Sequence, residues 1–158
     1  MIYFALGIAI LIIDLLTKIW AQTRLREIGT IPLIEDVFHL TYVENRGAAF
    51  GILQDKRIFF VLITLAFVVA VIYVIFKYKN RPAMLDYSLS FMVAGALGNM
   101  IDRIWRGFVV DMFDFRMINF PVFNIADIFV CIGAGLLAIF FVFCDGKDKE
   151  REDNSKKR

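Results

Sequence analysis

The chain has 158 residues, 59% of them hydrophobic, and a mean hydropathy of +0.68, against the roughly 45–50% apolar share of ordinary soluble domains. A core this small cannot hide that much apolar surface, which excludes an ordinary soluble domain and turns most of the surface toward lipid. The 18 bases are balanced by 16 acids, for a net charge of +2, and their scatter sets aside a nucleic-acid partner, which needs a contiguous basic face.

The first apolar run, Met1 to Ile13, is too short to span a bilayer alone. Continued past Asp14 and Lys18 to Trp20 it gives a full span with an aromatic anchor. It lacks the pattern of a cleavable signal peptide, because nothing basic precedes Lys18 and Asp14 interrupts the run. Asp14 and Lys18, four residues apart, share a helix face and are expected to pair near the rim of the membrane. The connection that follows, from Ala21 to Lys56, is long enough to fold. Within it VFHLTYVE, Val37 to Glu44, sets Phe38, Leu40 and Tyr42 against His39 and Thr41, a strand pattern of period two. Asn45-Arg46-Gly47 then reads as a turn. His39, the single histidine, is expected at the surface or in packing, since a metal site needs clustered partners.

Ile58 to Phe76 is uncharged between Lys56-Arg57 and Lys77 and is the clearest span. Leu85 to Ile101 is more polar, but Ser90, Ala94 and Gly98 at four-residue spacing suit close helix packing in lipid. At its end Asn99, Asp102 and Arg103 fall within one turn, as a network stapling helix ends or as the frame of a site, with Arg103 able to fork onto a carboxylate. Phe108-Val109-Val110 is strand-like. The last uncharged run, Ile128 to Phe143, extends back to a helix start after Pro121. Cys131 and Cys144 match neither a disulfide framework nor zinc spacing and are read as packing residues.

The expected fold is a mainly α membrane protein: a bundle of four transmembrane helices with a small β-sheet and loop on its outer surface. One integral-membrane domain covers 1–144, with spans at about 1–20, 58–76, 85–103 and 124–144, and a disordered charged tail covers 145–158. Lys77, Lys79 and Arg81 crowd the second connection, and six bases follow Gly146. Their density places that loop and both termini in the cytoplasm.

Asp111 follows the third span and Asp127 opens the fourth, so both belong to the same boundary, with Asn124 one turn before Asp127. Two readings stand at this point. Two carboxylates brought together in a partly dry place cannot both ionise comfortably, so one keeps a proton while the other acts as a base, the arrangement of an aspartic protease. In the other reading they are ordinary rim and cap residues. Ser88, Ser90 and Ser155 sit in no nucleophile setting. Asp111, Asp114 and Asp127 are too sparse for the oxygen cage of a hard cation.

Asp14 with Lys18, NRGAAFG at 45–51, GALGNMIDR at 95–103, VVD ending at Asp111 and FPVFNIAD at 120–127 occur in one order along the chain. With these five blocks the sequence resembles the bacterial lipoprotein signal peptidases, signal peptidase II, over most of its length. The resemblance implies an intramembrane aspartic endopeptidase with Asp111 and Asp127 as the catalytic pair. It implies Asn99, Arg103 and Asn124 as the polar frame, and Asp14, Lys18, Asn45 and Gly47 as supports of the site or substrate. The expected substrate is a diacylglyceryl-modified prolipoprotein, cut just before its lipidated cysteine, with no metal and no other cofactor. The expected setting is the bacterial cytoplasmic membrane, with the site at its outer boundary and a monomer in contact with lipid. The loop from Gly47 to Leu53 is expected to close over the site, with Phe50 as an apolar contact. Met112 stands where an aromatic is common in the family and Ile128 where a small residue is common, departures that touch packing beside the pair. The alternative reading is a small proton-coupled transporter, which also tolerates an acid in its first helix.

Overall fold

The computed structural model describes residues 2–48, 52–118 and 120–143. The expectations placed on Phe50, on Cys144 and on the charged tail lie outside these residues. The molecule is mainly helical: α1 is Ile2–Trp20, α2 Arg57–Lys77, α3 Ala83–Trp105 and α4 Ile125–Phe143, with strands β1 Thr30–Ile34, β2 Phe38–Asn45 and β3 Val109–Phe115. Three helical stretches, Ile2–Ile28, Arg57–Lys77 and Ile125–Phe143, are long and apolar enough to cross a membrane.

Polarity is distributed inside out. Phe76 is 78% exposed and Val142 72%, while Asp14, Lys18, Ser88, Asp102 and Asn124 are wholly buried. That pattern suits a protein whose solvent is lipid, where ionisable groups turn to the interior and pair. It also accounts for α3, which holds most of the polar and small residues because it is the central helix, packed against α1, α2 and α4. Small residues let the neighbours in: Gly98 lies against Asp14 of α1, Gly95 against the Ala126 carbonyl of α4, and Gly133 of α4 against Ser88 and Met92. Ser90 touches Gly7 and donates to the Tyr3 carbonyl at 2.7 Å.

The first helix continues beyond Trp20, as a π-helical turn over Ala21–Leu25 and a last α turn over Arg26–Ile28, to Gly29 at φ +83°. The wider turn is favoured because its buried Ala21 and Leu25 pack with Val110 and Met112 under the sheet. The sheet is antiparallel, in the order β1-β2-β3, and caps one end of the bundle. Leu40, Tyr42 and Phe113 lie on that core, while His39 is buried with both ring nitrogens unpartnered among the described residues. The register shifts between Leu40 and Val43, after which Val43 faces Asp111; such a bulge re-aims the side chains that follow.

Candidate active site

The start of α4 is built from its own polar residues. Asn124 is the N-cap, accepting from the Asp127 backbone N–H at 3.0 Å, while Asp127 accepts from the Asn124 backbone N–H at 3.2 Å. This is the reciprocal capping box, with a shorter acid at its third position. The Ala126 N–H, also in the first turn, donates to Asp14 at 2.9 Å, so a carboxylate of α1 sits at the positive end of the α4 dipole.

Backbone pairing brings β3 to that cap. Phe113 and Phe123 form a bridge, with the Met112 and Phe113 N–H groups both on the Phe123 carbonyl. Asn124, the next residue, thereby reaches Asp111, donating through its amide at 2.6 Å. Asn45, the last residue of β2, donates to the other Asp111 oxygen at 2.9 Å. The Asn45 side-chain oxygen accepts from the Gly47 N–H at 2.9 Å, closing the expected turn as an Asx-turn. Asn99 donates to Asp127 at 2.8 Å. Each of the four oxygens of Asp111 and Asp127 thus accepts from an N–H, and the two residues are joined through Asn124.

The Asp14–Lys18 pair forms as its four-residue spacing suggests and is enclosed by the bundle. Both side chains are fully buried, their charged atoms 2.8 Å apart, and Lys18 also donates to the Asn99 oxygen at 2.8 Å. A lysine can only donate, so it fixes which way the Asn99 amide points and leaves the NH2 to Asp127. Asp102, 3.7 Å from Lys18, pairs also with Arg106 and accepts from the Val110 N–H at 2.9 Å, pinning the strand just ahead of Asp111. Arg106 in turn donates to Gln22 of the π turn at 2.8 Å. Sequence reading left Gln22 and Arg106 unmentioned, and no short-range signal carries them, since they meet across 84 residues of separation.

Arg103 departs from expectation. It donates to the Gly47 carbonyl at 3.0 Å and the Asn99 carbonyl at 3.3 Å, and its guanidinium lies 4.6 Å from the centre of the Phe60 ring. It therefore holds the turn after β2 rather than forking onto a carboxylate. Asp114 accepts from Thr41 and Arg116, apart from the other two acids. Cys131 is exposed and lines the cavity beside Asp127, so it is no buried packing residue.

Asp111 and Asp127 share the wall of one cavity of about 770 Å³, with Asn45, Asn99, Arg103 and the apolar side chains of Phe115, Ile118 and Phe123. Burial pushes the Asp111 carboxyl from 3.8 up to about 7, and the charge of Asp127 adds to the rise, while the Asn45 and Asn124 amides oppose it. A carboxyl that keeps its proton beside an acid that accepts only hydrogen bonds is suited to donate and to take up protons in one reaction.

Apolar outward-facing helices, wrapped around a buried Asp111 and a half-buried Asp127 at one cavity, suit an enzyme of the membrane. Residues 6–143 match the family model described as signal peptidase (SPase) II. The chain belongs to the signal peptidase II family. It is 44% identical over 151 residues to the lipoprotein signal peptidase of Clostridioides difficile strain 630, covering 94% of this chain and 100% of that protein. It is 48% identical over 141 residues to the lipoprotein signal peptidase of Halothermothrix orenii, covering 89% of this chain and 94% of that protein. Two solved structures, each a bacterial membrane enzyme determined by the in meso method, align at 35% identity. The one at 2.3 Å has a TM-score of 0.83 and covers 93% of this chain and 90% of that chain. The one at 1.9 Å has a TM-score of 0.79, with 90% and 93% covered.

Proposed function

We propose that Asp111 and Asp127 form the catalytic dyad, cutting the signal peptide from a diacylglyceryl-modified precursor just before its lipidated cysteine. As a member of its family the protein is an aspartic endopeptidase that removes signal peptides from prolipoproteins. The observation that carries the assignment of the dyad is the meeting of the two carboxyl groups on the Asn124 amide and backbone, at the wall of a single cavity.

Asp111, with its raised pKa, holds the proton at rest. Water attacks the scissile carbonyl carbon as Asp127 takes its proton, and Asp111 delivers its own proton to the carbonyl oxygen, giving a gem-diol. In collapse Asp127 gives its proton to the leaving nitrogen, the C–N bond breaks, and a gem-diol hydroxyl returns a proton to Asp111. The products are the free signal peptide carboxylate and a new cysteine amino terminus. Asn99 and Asn124 hold the acids, Asn45 and Gly47 shape the turn beside the peptide, and Arg103 anchors that turn. Asp14 and Lys18 fix Asn99 and the start of α4.

Four helices cross the bacterial cytoplasmic membrane, α3 shielded by the other three, with both termini in the cytoplasm. The sheet and the dyad then lie at the outer boundary, where a lipid-anchored peptide is presented. The protein works as a monomer in contact with lipid. The acids gather beneath the sheet at one end of the bundle, which favours this reading over a proton-coupled transporter, whose ionisable groups belong near the midplane.

The test is cleavage of a diacylglyceryl-modified prolipoprotein by purified protein, comparing wild type with Asp111→Asn and Asp127→Asn at matched folded yield. Both variants are expected to bind and neither to cut. Near-normal turnover by either one refutes the dyad.

A further inference from the structure

Asp111 stands between two backbone holds on one edge of β3. β2 pairs along the other edge. After Asp111, the Met112 N–H donates to the Phe123 carbonyl at 3.0 Å. Before it, the Val110 N–H donates to the Asp102 carboxylate at 2.9 Å. The second hold is a side chain, so it is only as firm as whatever fixes Asp102. That carboxylate is fully buried, and a buried charge needs a close partner. The Lys18 ammonium lies 3.7 Å away, while it meets Asp14 and Asn99 at 2.8 Å. Arg106 is the closer cation: as the C-cap of α3 it closes its backbone N–H on the Asp102 carbonyl at 2.7 Å, and its guanidinium pairs with the second carboxylate oxygen.

A planar guanidinium donates in fixed directions, and Arg106 uses a second one, from Nε to the Gln22 side-chain oxygen at 2.8 Å. Gln22 belongs to the π-helical turn Ala21–Leu25, whose Ala21 and Leu25 pack with the Val110 side chain. The turn therefore meets Val110 twice, through the apolar contact and through the chain Gln22, Arg106, Asp102 and the Val110 N–H. Neither Gln22, Asp102 nor Arg106 lines the cavity that holds the two acids, so none of them reaches a substrate there. We propose that Arg106 is a positioning residue for the hydrolysis, holding Asp111 in place through Asp102 and the Val110 N–H, with Gln22 of the π turn fixing its guanidinium. The proposal rests on the reading of Asp111 as a member of the dyad.

The test combines steady-state cleavage of the lipid-modified precursor with amide hydrogen exchange, on wild type, Arg106→Met, Gln22→Ala and the double variant. Arg106→Met keeps an apolar stem and removes the donors; kcat should fall at least about tenfold, because a small misplacement of a reacting group is that costly. KM should stay within about twofold, since no contact with substrate is lost. Gln22→Ala should lower kcat by itself, yet lower it no further once Arg106 is replaced, as members of one chain are not additive. The Val110 amide should exchange faster in every variant. Wild-type kcat in folded Arg106→Met overturns the proposal, as does a loss carried by KM, a Gln22→Ala effect that adds in full, or a fall in kcat without faster exchange at Val110. Asp111→Asn, run in parallel, separates the two readings: turnover by that variant refutes the dyad, whereas exchange at Val110 judges the hold by Arg106 whatever Asp111 does. If Arg106→Met fails to fold, Gln22→Ala decides the matter, since it removes only a half-buried amide.

Discussion

Replacing Asn45 by alanine tests how the acid of the dyad is tuned. The Asn45 amide donates to Asp111 at 2.9 Å and favours the ionised carboxylate, opposing a burial that carries the group to about 7. Removing a donor from the charged form raises the pKa, so Asp111 should keep its proton to higher pH and the alkaline limb of the rate profile should move upward. A hydrogen bond to a charged group contributes about 1.5–3 kcal/mol, and one pKa unit corresponds to about 1.36 kcal/mol. Asn124 stays on the other oxygen at 2.6 Å, and water entering the vacated space recovers part of the loss, so the expected shift is about one unit. The assay is kcat for cleavage of the lipid-modified precursor from about pH 5 to about pH 10, where kcat reports groups in the enzyme–substrate complex. KM should rise as well, because Asn45 also holds the Gly47 turn. An alkaline limb that stays in place or moves to lower pH refutes both the tuning and the role of Asp111 as proton donor.

Asp111→Asn should stabilise the protein as it inactivates it. The folded-state value is raised, so the wild-type carboxyl favours the fold fully below the unfolded value and loses that contribution as pH rises from 3.8 to about 7. Relative to the wild type, the variant gains up to about 4 kcal/mol above that window, less the mismatch with two amide donors; Tm measured on both sides of the window checks the sign, and an equal difference at both pH values refutes it. Lys18→Met leaves Asp14 buried without its partner and should cost about 3–5 kcal/mol. Adding Asp14→Leu should recover much of that stability but none of the activity, because Asn99 has lost its orienting donor; full activity in the double variant counts against that role. Gly98→Ala places a methyl against the Asp14 carboxylate and should cost about 1–3 kcal/mol by overpacking, read as a lowered Tm. A chelator should leave cleavage unchanged, since the dyad oxygens already face N–H donors that repel a cation; loss restored by a divalent ion refutes this.

Legibility tracked the range of the interaction. The alternation of Phe38, Leu40 and Tyr42 marked β2, and Phe108-Val109-Val110 foreshadowed β3, because strand period is written in neighbouring residues. β1 escaped notice: TIPLI carries Pro32, which argues against a central strand but is tolerated on an edge, where β1 lies. The π turn after Trp20 left no trace in hydropathy, because it arises from packing of Ala21 and Leu25 under a sheet formed later in the chain. Placing Asp111 and Asp127 at one boundary followed from span order alone, and the structure brings them together on Asn124. The burial of Asp14 and Lys18 inside the bundle, against Ala126 and Asn99, did not follow, since i,i+4 spacing gives a shared face without saying what covers it. Arg103 had the right position and the wrong partner, because the Gly47 carbonyl competes for it across 56 residues.

The bond from Ala126 to Asp14 closes a loop of 112 residues, and the capping box at Asn124 and Asp127 belongs to the last helix. During synthesis, a chain inserted only as far as its third helix carries neither member of that box and has no place for Asp111 to dock. With the proposed dyad, hydrolytic competence therefore arrives in one step, when the final helix seats against the first and third. Assembly order itself would keep the nascent enzyme silent.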